Sequence, residues 1–188
     1  MATVELRPDR FAVGGDAIAR DGDGRVVFAK GALPGETVVA EITHEKRDWA
    51  RAHVIDVVDA SPERELPPCP SRRAGCGGCG WMHLSHDAQR RAKVAIVDET
   101  LRRIGGVGEP QVVLGPSVEP HGYRTTIRVA AGPDGHAGFR AERSHDVVAA
   151  PTCLVAHPVL RDIVAGIRLD PRVEATLRMS VATGQVGA

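Results

Sequence analysis

The run Val26-Val27-Phe28-Ala29-Lys30-Gly31-Ala32-Leu33-Pro34-Gly35-Glu36-Thr37-Val38-Val39-Ala40-Glu41-Ile42 decides how the first third of the chain folds. Val38, Ala40 and Ile42 alternate with Thr37, Val39 and Glu41. Period-two alternation places one face of a strand in a core and leaves the other outside. Leu33-Pro34-Gly35 carries the chemistry to reverse the chain, with proline fixing φ and glycine accepting a left-handed conformation. The same reading extends outward to segments 10–19, 25–29 and 50–58, rich in Val, Ile and Ala, and to a second turn at Asp21-Gly22-Asp23-Gly24.

Several short strands within residues 1–60 predict a small closed β-barrel of the oligonucleotide-binding type. His44-Glu45-Lys46-Arg47-Asp48-Trp49 separates the last two strand segments. It joins backbone charge to a stacking ring, the means by which single-stranded nucleic acid is held. The alternative is a solvated hairpin tip with Trp49 folded into the core.

The whole chain has 188 residues, enough for one ordinary domain or two small ones. Apolar residues at 43% and charged residues at 26% are the balance of a folded protein. Aromatics at 3% leave the core to Val, Ala, Leu and Ile. No apolar run approaches the roughly 18 residues of a membrane span, and the N-terminus lacks a signal-peptide layout. A cytoplasmic protein is expected. Basic and acidic residues balance at 24 each, which removes the simplest argument for a polyanionic partner. By region the net charge is −3 over 1–60, +2 over 61–110 and +1 over 111–188. Only Lys30, Lys46 and Lys93 are lysines. Arginine suits phosphate better, but a GC-rich genome produces the same bias.

Residues 61–68, Ser-Pro-Glu-Arg-Glu-Leu-Pro-Pro, read as a linker. Cys69, Cys76 and Cys79 follow within eleven residues, among Gly75, Gly77, Gly78 and Gly80, and Cys153 stands far downstream. Glycines let a backbone wrap closely around something small, and a disulfide framework does not suit an unsignalled chain of this size. A metal centre is the better reading. Four thiolates point to an iron–sulfur cluster or zinc. Cys69, Cys76, Cys79 and His83 form an alternative zinc set, with Cys153 then a small buried hydrophobe. Spacing leaves both open.

A helix is predicted over 85–104, capped by Ser85 and stopped by Gly105-Gly106, with Val94, Val97, Leu101 and Ile104 as its buried stripe. Arg90, Arg91, Arg102 and Arg103 lie off that stripe and read as solvated surface. A hairpin follows over 123–131 and 136–141, turning at Gly132-Pro133-Asp134-Gly135. Alternation places Tyr123, Thr125, Ile127 and Val129 on one face and Arg124, Thr126 and Arg128 on the other, a candidate phosphate grip. A short strand over 145–149 leads to Cys153 and returns it toward the cysteine loop, which favours four thiolates.

These residues resemble a known family. Gly14-Gly15-Asp16-Ala17-Ile18-Ala19 with Val26–Glu36 resembles a TRAM domain, an RNA-binding barrel. Cys76-Gly77-Gly78-Cys79-Gly80-Trp81-Met82-His83-Leu84 resembles the iron–sulfur loop of the bacterial RNA (uracil-5-)-methyltransferases. Gln89, Lys93, Leu101, Tyr123-Arg124, Gly138-Phe139-Arg140, Ser144–Val148 and Cys153-Leu154 fall in the family's order. One departure is six residues between Cys69 and Cys76, where the family usually has five.

The resemblance implies a mainly β fold with some α structure. It has a TRAM barrel over 1–60, a linker over 61–68 and an α+β central domain over 69–188 carrying a [4Fe–4S] cluster on Cys69, Cys76, Cys79 and Cys153. Zinc is the alternative metal. It further implies methyl transfer from S-adenosylmethionine to carbon 5 of a uridine in rRNA or tRNA. There a cysteine attacks carbon 6 of the flipped base, because carbon 5 is otherwise a poor nucleophile. The partner implied is RNA, with no DNA and no membrane. The candidate RNA contacts are Lys30, Lys46, Arg47, Trp49, Arg51, Arg124, Arg128 and Arg140.

The family's Rossmann-like methyl-donor domain follows the central domain and is not expected in these residues, nor is the catalytic cysteine. Asp170-Pro171-Arg172 reads as a turn. Ser144-His145-Asp146 is no triad, since neighbours on a strand point to opposite faces. The chain is expected to be the RNA- and cluster-binding front half of such an enzyme, inactive alone and without catalytic or S-adenosylmethionine-binding residues. The alternative is a stand-alone RNA-binding module with a structural zinc or cluster.

Overall fold

A computed structural model describes residues 2–188. It is mainly β and divides into two compact units. The first comprises the chain up to Leu66 together with His83–Gly115; the second comprises Pro67–Met82 and Pro116–Ala188. The sequence reading drew a single boundary at 61–68, whereas by packing the long helix belongs with the first unit.

The first unit holds strands β1 (Thr3–Leu6), β2 (Arg10–Phe11), β3 (Ala17–Arg20), β4 (Val26–Lys30), β5 (Thr37–Glu45) and β6 (Trp49–Asp59). They form one sheet in the order β1-β5-β6-β4-β3-β2, with β4 and β6 parallel. The predicted segment 10–19 is two strands rather than one, because Gly14 and Gly15 both take positive φ, at 98° and 96°. β1 was not expected: its alternation covers four residues, too few for a period to declare itself. Register shifts along β5 and β6 mark bulges, which sharpen the curl of a sheet.

One core joins Leu6, Val27 and Val38 to Ala17, Ala19, Ala29, Ala32, Ala40, Ala50 and Ala52. Alanine dominates because a small, strongly curved sheet has little interior volume. Val38 and Ala40 are buried as the alternation predicted.

Helix α2 (His86–Arg103) follows in this unit. The Ser85 hydroxyl accepts from the Ala88 amide at 3.3 Å and donates to Glu63 at 2.5 Å. Ser85→Ala is expected to lower stability by about 1 kcal/mol in urea unfolding, and an unchanged midpoint would deny the cap any weight. Gly106, at φ 67°, ends the helix.

The predicted buried stripe is corrected by the structure. Val97 is 47% exposed, Leu101 36% and Ile104 81%. The side bearing Ile96, Glu99 and Thr100, about 100° round the helix, faces Phe11 and Phe28 instead. Apolar periodicity finds a stripe but does not say what covers it. The helix arginines are surface groups, as read: Arg91 pairs with Glu63, Arg102 with Asp98 and Arg103 with Glu99, while Arg90 donates to the Gly115 carbonyl.

The second unit holds a short helix α1 (Pro70–Arg73) and strands β7 (Thr126–Ala131), β8 (Ala137–Arg140) and β9 (Val147–Ala149). Helix α3 (Pro158–Gly166), β10 (Glu174–Met179) and β11 (Val186–Gly187) complete it. The strand order is β11-β10-β7-β8-β9, antiparallel throughout. Ile127, Val129, Leu177 and Met179 pack with Leu160 and Val164 of α3 on one face. The other face carries Thr126, Arg128, Glu174, Thr176 and Arg178.

The hairpin turn is as predicted, with Gly135 at φ 79° and its amide donating to the Gly132 carbonyl at 2.9 Å. β7 begins only at Thr126, and Tyr123 is 47% exposed rather than on the buried face. Asp170-Pro171-Arg172 is a turn, with Arg172 at φ 69°. α3 and β10 were missed. Pro158 at the first turn and the Leu160-Ile163-Val164 spacing were the available signals. No helix among the described residues is long and apolar enough to cross a membrane.

Candidate cysteine centre and nucleic-acid interface

Local chemistry places the thiols. Cys69 caps α1, whose Pro70 stands at the first turn. The chain then turns through Gly75, at φ 96°, and the Cys76 amide donates to the Ser71 carbonyl at 2.9 Å. Gly77 follows under β8: its amide donates to the Arg140 carbonyl at 3.0 Å, and a Cβ there would lie 3.1 Å from the Glu142 Cα. A side chain there would push the neighbouring backbone back by a few tenths of an ångström. Arg72 then braces the loop, donating to the Cys79 carbonyl at 3.0 Å and the Cys76 carbonyl at 3.3 Å.

The fourth thiol arrives on a different segment. The Arg124 amide donates to the Val155 carbonyl at 2.9 Å, and the His157 amide to the Arg124 carbonyl at 3.0 Å. This parallel bridge holds residues 153–157 beside 122–124. All four cysteines line one pocket, with Met82, Phe139 and Arg124 among its other walls.

None is in a disulfide, and Cys69 and Cys76 are buried. Burial pushes the Cys76 thiol up, the neighbouring Cys153 and Cys69 add to it, and the Gly78 amide opposes it. Burial likewise pushes up the Cys79 thiol against the pull of Arg124. Four soft donors on one pocket fit a soft metal centre in chemistry. Among the described residues no group of three or more His, Cys, Asp or Glu is already drawn together around an ion position. His83 lies in the first unit, where its carbonyl accepts from the Glu65 amide at 3.0 Å.

On the first unit's sheet, the β4–β6 register sets Phe28 beside Arg51, Val26 beside Trp49 and Lys30 beside His53. The burial pattern of β4 puts Phe28 and Lys30 on its outer side. The Trp49 ring meets Phe28 edge-on at 6.3 Å and tilts against His44 at 5.3 Å. The Arg51 guanidinium lies over both Phe28 (5.6 Å) and Trp49 (5.9 Å), and pairs with Asp16 at 3.0 Å. Trp49 is therefore neither a core residue nor a loose tip but part of a half-buried outer-face cluster. Lys46 and Arg47 stand at the exposed tip, Arg47 paired with Asp48. Phe28 and His44 are members that sequence reasoning missed.

In the second unit, Arg124, Arg128 and Arg140 line one groove of about 820 Å³. Arg143, His145 and Glu174 line it too; the sequence reading weighs His145 only within the dismissed Ser144-His145-Asp146 triad and the family resemblance, and does not single out Arg143 or Glu174. Arg143 sits in a turn, at φ 52°, where no periodicity could reveal it. Ser144-His145-Asp146 belongs to the same turn rather than to a strand, which corrects the reason for dismissing a triad. Ser144 bonds Asp146 directly at 2.7 Å, without an intervening histidine.

Known proteins bear on both halves. The TRAM domain matches residues 8–55. A protein of Streptomyces avermitilis named an uncharacterized RNA methyltransferase is 37% identical over 174 residues, covering 85% of this chain and 40% of that protein. The 23S rRNA (uracil(1939)-C(5))-methyltransferase RlmD of Methylococcus capsulatus is 39% identical over 185 residues, covering 90% of this chain and 41% of its own. Over most of its length the chain is similar to TRAM-bearing RNA methyltransferases. It spans about two fifths of the length of these curated relatives. The Pyrococcus abyssi tRNA (uracil-54, C5)-methyltransferase, solved with S-adenosyl-L-homocysteine, shares the fold at a TM-score of 0.62. It is 23% identical, and the match covers 96% of this chain and 44% of that one.

Proposed function

We propose that this chain is the RNA- and cluster-binding part of an S-adenosylmethionine-dependent RNA (uracil-5-)-methyltransferase that makes 5-methyluridine in rRNA or tRNA. The observation that carries this reading is the 39% identity to an rRNA uracil-C5 methyltransferase over 90% of the chain. Lys30, Lys46, Arg47, Trp49 and Arg51 on the barrel, and Arg124, Arg128 and Arg140 in the groove, hold RNA by charge and stacking. Cys69, Cys76, Cys79 and Cys153 hold a [4Fe–4S] cluster, which supplies a structural tie between two segments distant in sequence. Arg72 holds the cysteine loop in place from its carbonyls.

Two measurements test this. Disrupting the gene is expected to remove 5-methyluridine from one position of rRNA or tRNA, read by mass spectrometry of digested RNA. Unchanged 5-methyluridine in both would overturn the methyltransferase reading. The chain purified without oxygen is expected to carry about four iron and four sulfide. About one zinc and no sulfide would favour instead an RNA-binding module with a structural zinc.

A further inference from the structure

The open face of the second sheet carries an internal anion where an RNA-binding groove needs cations. Glu174, on β10, stands between Arg128 of β7 and Arg140 of β8. Its Oε2 accepts from Arg128 Nη2 at 2.5 Å, and its Oε1 accepts from Arg140 Nη2 at 2.6 Å and Nε at 3.1 Å. Arg140 also donates to the His145 carbonyl at the groove edge. An anion held on both sides by guanidinium forks is how arginine receives a phosphate. The remaining carboxylate of the groove, Glu142, faces Arg72 at 3.7 Å. Arg124 and Arg143 line the same groove with no acidic partner among the described residues.

We propose that Glu174 occupies a phosphate site of the RNA backbone, and that a phosphodiester displaces its carboxylate from between Arg128 and Arg140 when RNA enters the groove. The inference rests on RNA being the partner. Exchange is energetically open: the Arg128 side chain is 74% exposed, and ion pairs in water are worth little. Arg143, exposed in its turn, makes the first contact, and the two Glu174-held arginines engage only after the carboxylate swings away. Glu174 thereby lowers affinity for RNA that does not fill the whole groove.

The test is fluorescence anisotropy of a labelled oligouridine with the full chain, purified without oxygen, across a range of salt. Glu174→Gln keeps the shape and removes the charge that holds both arginines. It is expected to tighten binding about threefold to tenfold and to steepen the salt dependence by about 0.7 per phosphate gained. Arg128→Ala is expected to cost little in the native chain and to abolish most of the gain in the Glu174→Gln background. Glu119→Gln, an exposed carboxylate outside the groove, controls for bare charge. A gain no larger than that of Glu119→Gln, or an Arg128→Ala cost equal in both backgrounds, overturns the Glu174 assignment and leaves the RNA reading standing. Absence of binding by both the native chain and Glu174→Gln overturns the RNA reading, and this inference with it.

Discussion

Glu36→Ala is expected to destabilise the first unit by about 3–5 kcal/mol, the usual cost of orphaning one partner of a buried ion pair. Glu36 is 1% exposed and lies between the turn at Pro34-Gly35 and β5. Its carboxylate accepts from Arg64 Nε at 2.5 Å and Nη2 at 2.7 Å, from the Leu33 amide at 2.8 Å and from the Ser61 amide at 3.2 Å. Arg64 also donates to the Gly31 carbonyl at 2.7 Å. One carboxylate thus closes the β4–β5 turn and fastens residues 61–64 to it. Removing it leaves the guanidinium only the Gly31 carbonyl and strands two amides, each with a desolvation cost.

The same group makes stability depend on pH. Burial works to raise the Glu36 carboxyl, but Arg64 and the two amides outweigh it and hold it below its ordinary value of 4.5. A carboxyl depressed in the folded state contributes its full stability above its unfolded value and loses it as pH falls through the folded one. Urea unfolding is therefore expected to show a loss of stability below about pH 4.5 that Glu36→Gln largely removes. An unchanged acid limb in Glu36→Gln would place the acid-sensitive groups elsewhere.

Glu36 shows why some of this molecule was legible in its sequence and some was not. Val38 and Ala40 announced a strand because alternation is a local property, set by the two-residue repeat of the pleat. Glu36 looked like any polar residue after a turn, because its partner Arg64 lies 28 residues away in what read as a linker. The helix limits, Ser85 and Gly105-Gly106, were local and came out correctly. Its covered face depended on β2 and β4 and did not.

The site divides the same way. The clustering of Cys69, Cys76 and Cys79 is local, and the return of Cys153 followed from a short strand that the structure contains. The groove did not follow, because it needs β10, whose Glu174, Thr176 and Arg178 alternate with Ala175, Leu177 and Met179. That alternation is present in the sequence, directly after the Asp170-Pro171-Arg172 turn. Arg124 and Arg128 were read as a phosphate grip from one strand alone. The neighbouring strands supply Arg140 and Glu174, whose carboxylate pairs with Arg128 and Arg140.

Cys153→Ala is expected to reduce iron and sulfide from about four each per chain to a trace while leaving the fold in place. Cys153 is half-buried at the margin of the α3 core. Its segment is held by backbone bonds from Gly122, Arg124 and His157 that do not involve the thiol. Loss of one sulfur therefore costs little packing, and the effect falls on the donor set. Three thiolates from the 69–79 loop would remain, with no fourth soft donor among the residues lining the pocket apart from the Met82 thioether, a much weaker ligand. Cys153→Ser separates size from chemistry, since it restores the volume with a hard oxygen, and it is expected to lose the cluster as Cys153→Ala does. Metal analysis beside thermal unfolding reads both: metal lost with cooperative unfolding retained is the expected pair. Full iron in Cys153→Ala would remove Cys153 from the donor set. A zinc content that survives Cys153→Ala but not His83→Ala would transfer the fourth position to His83.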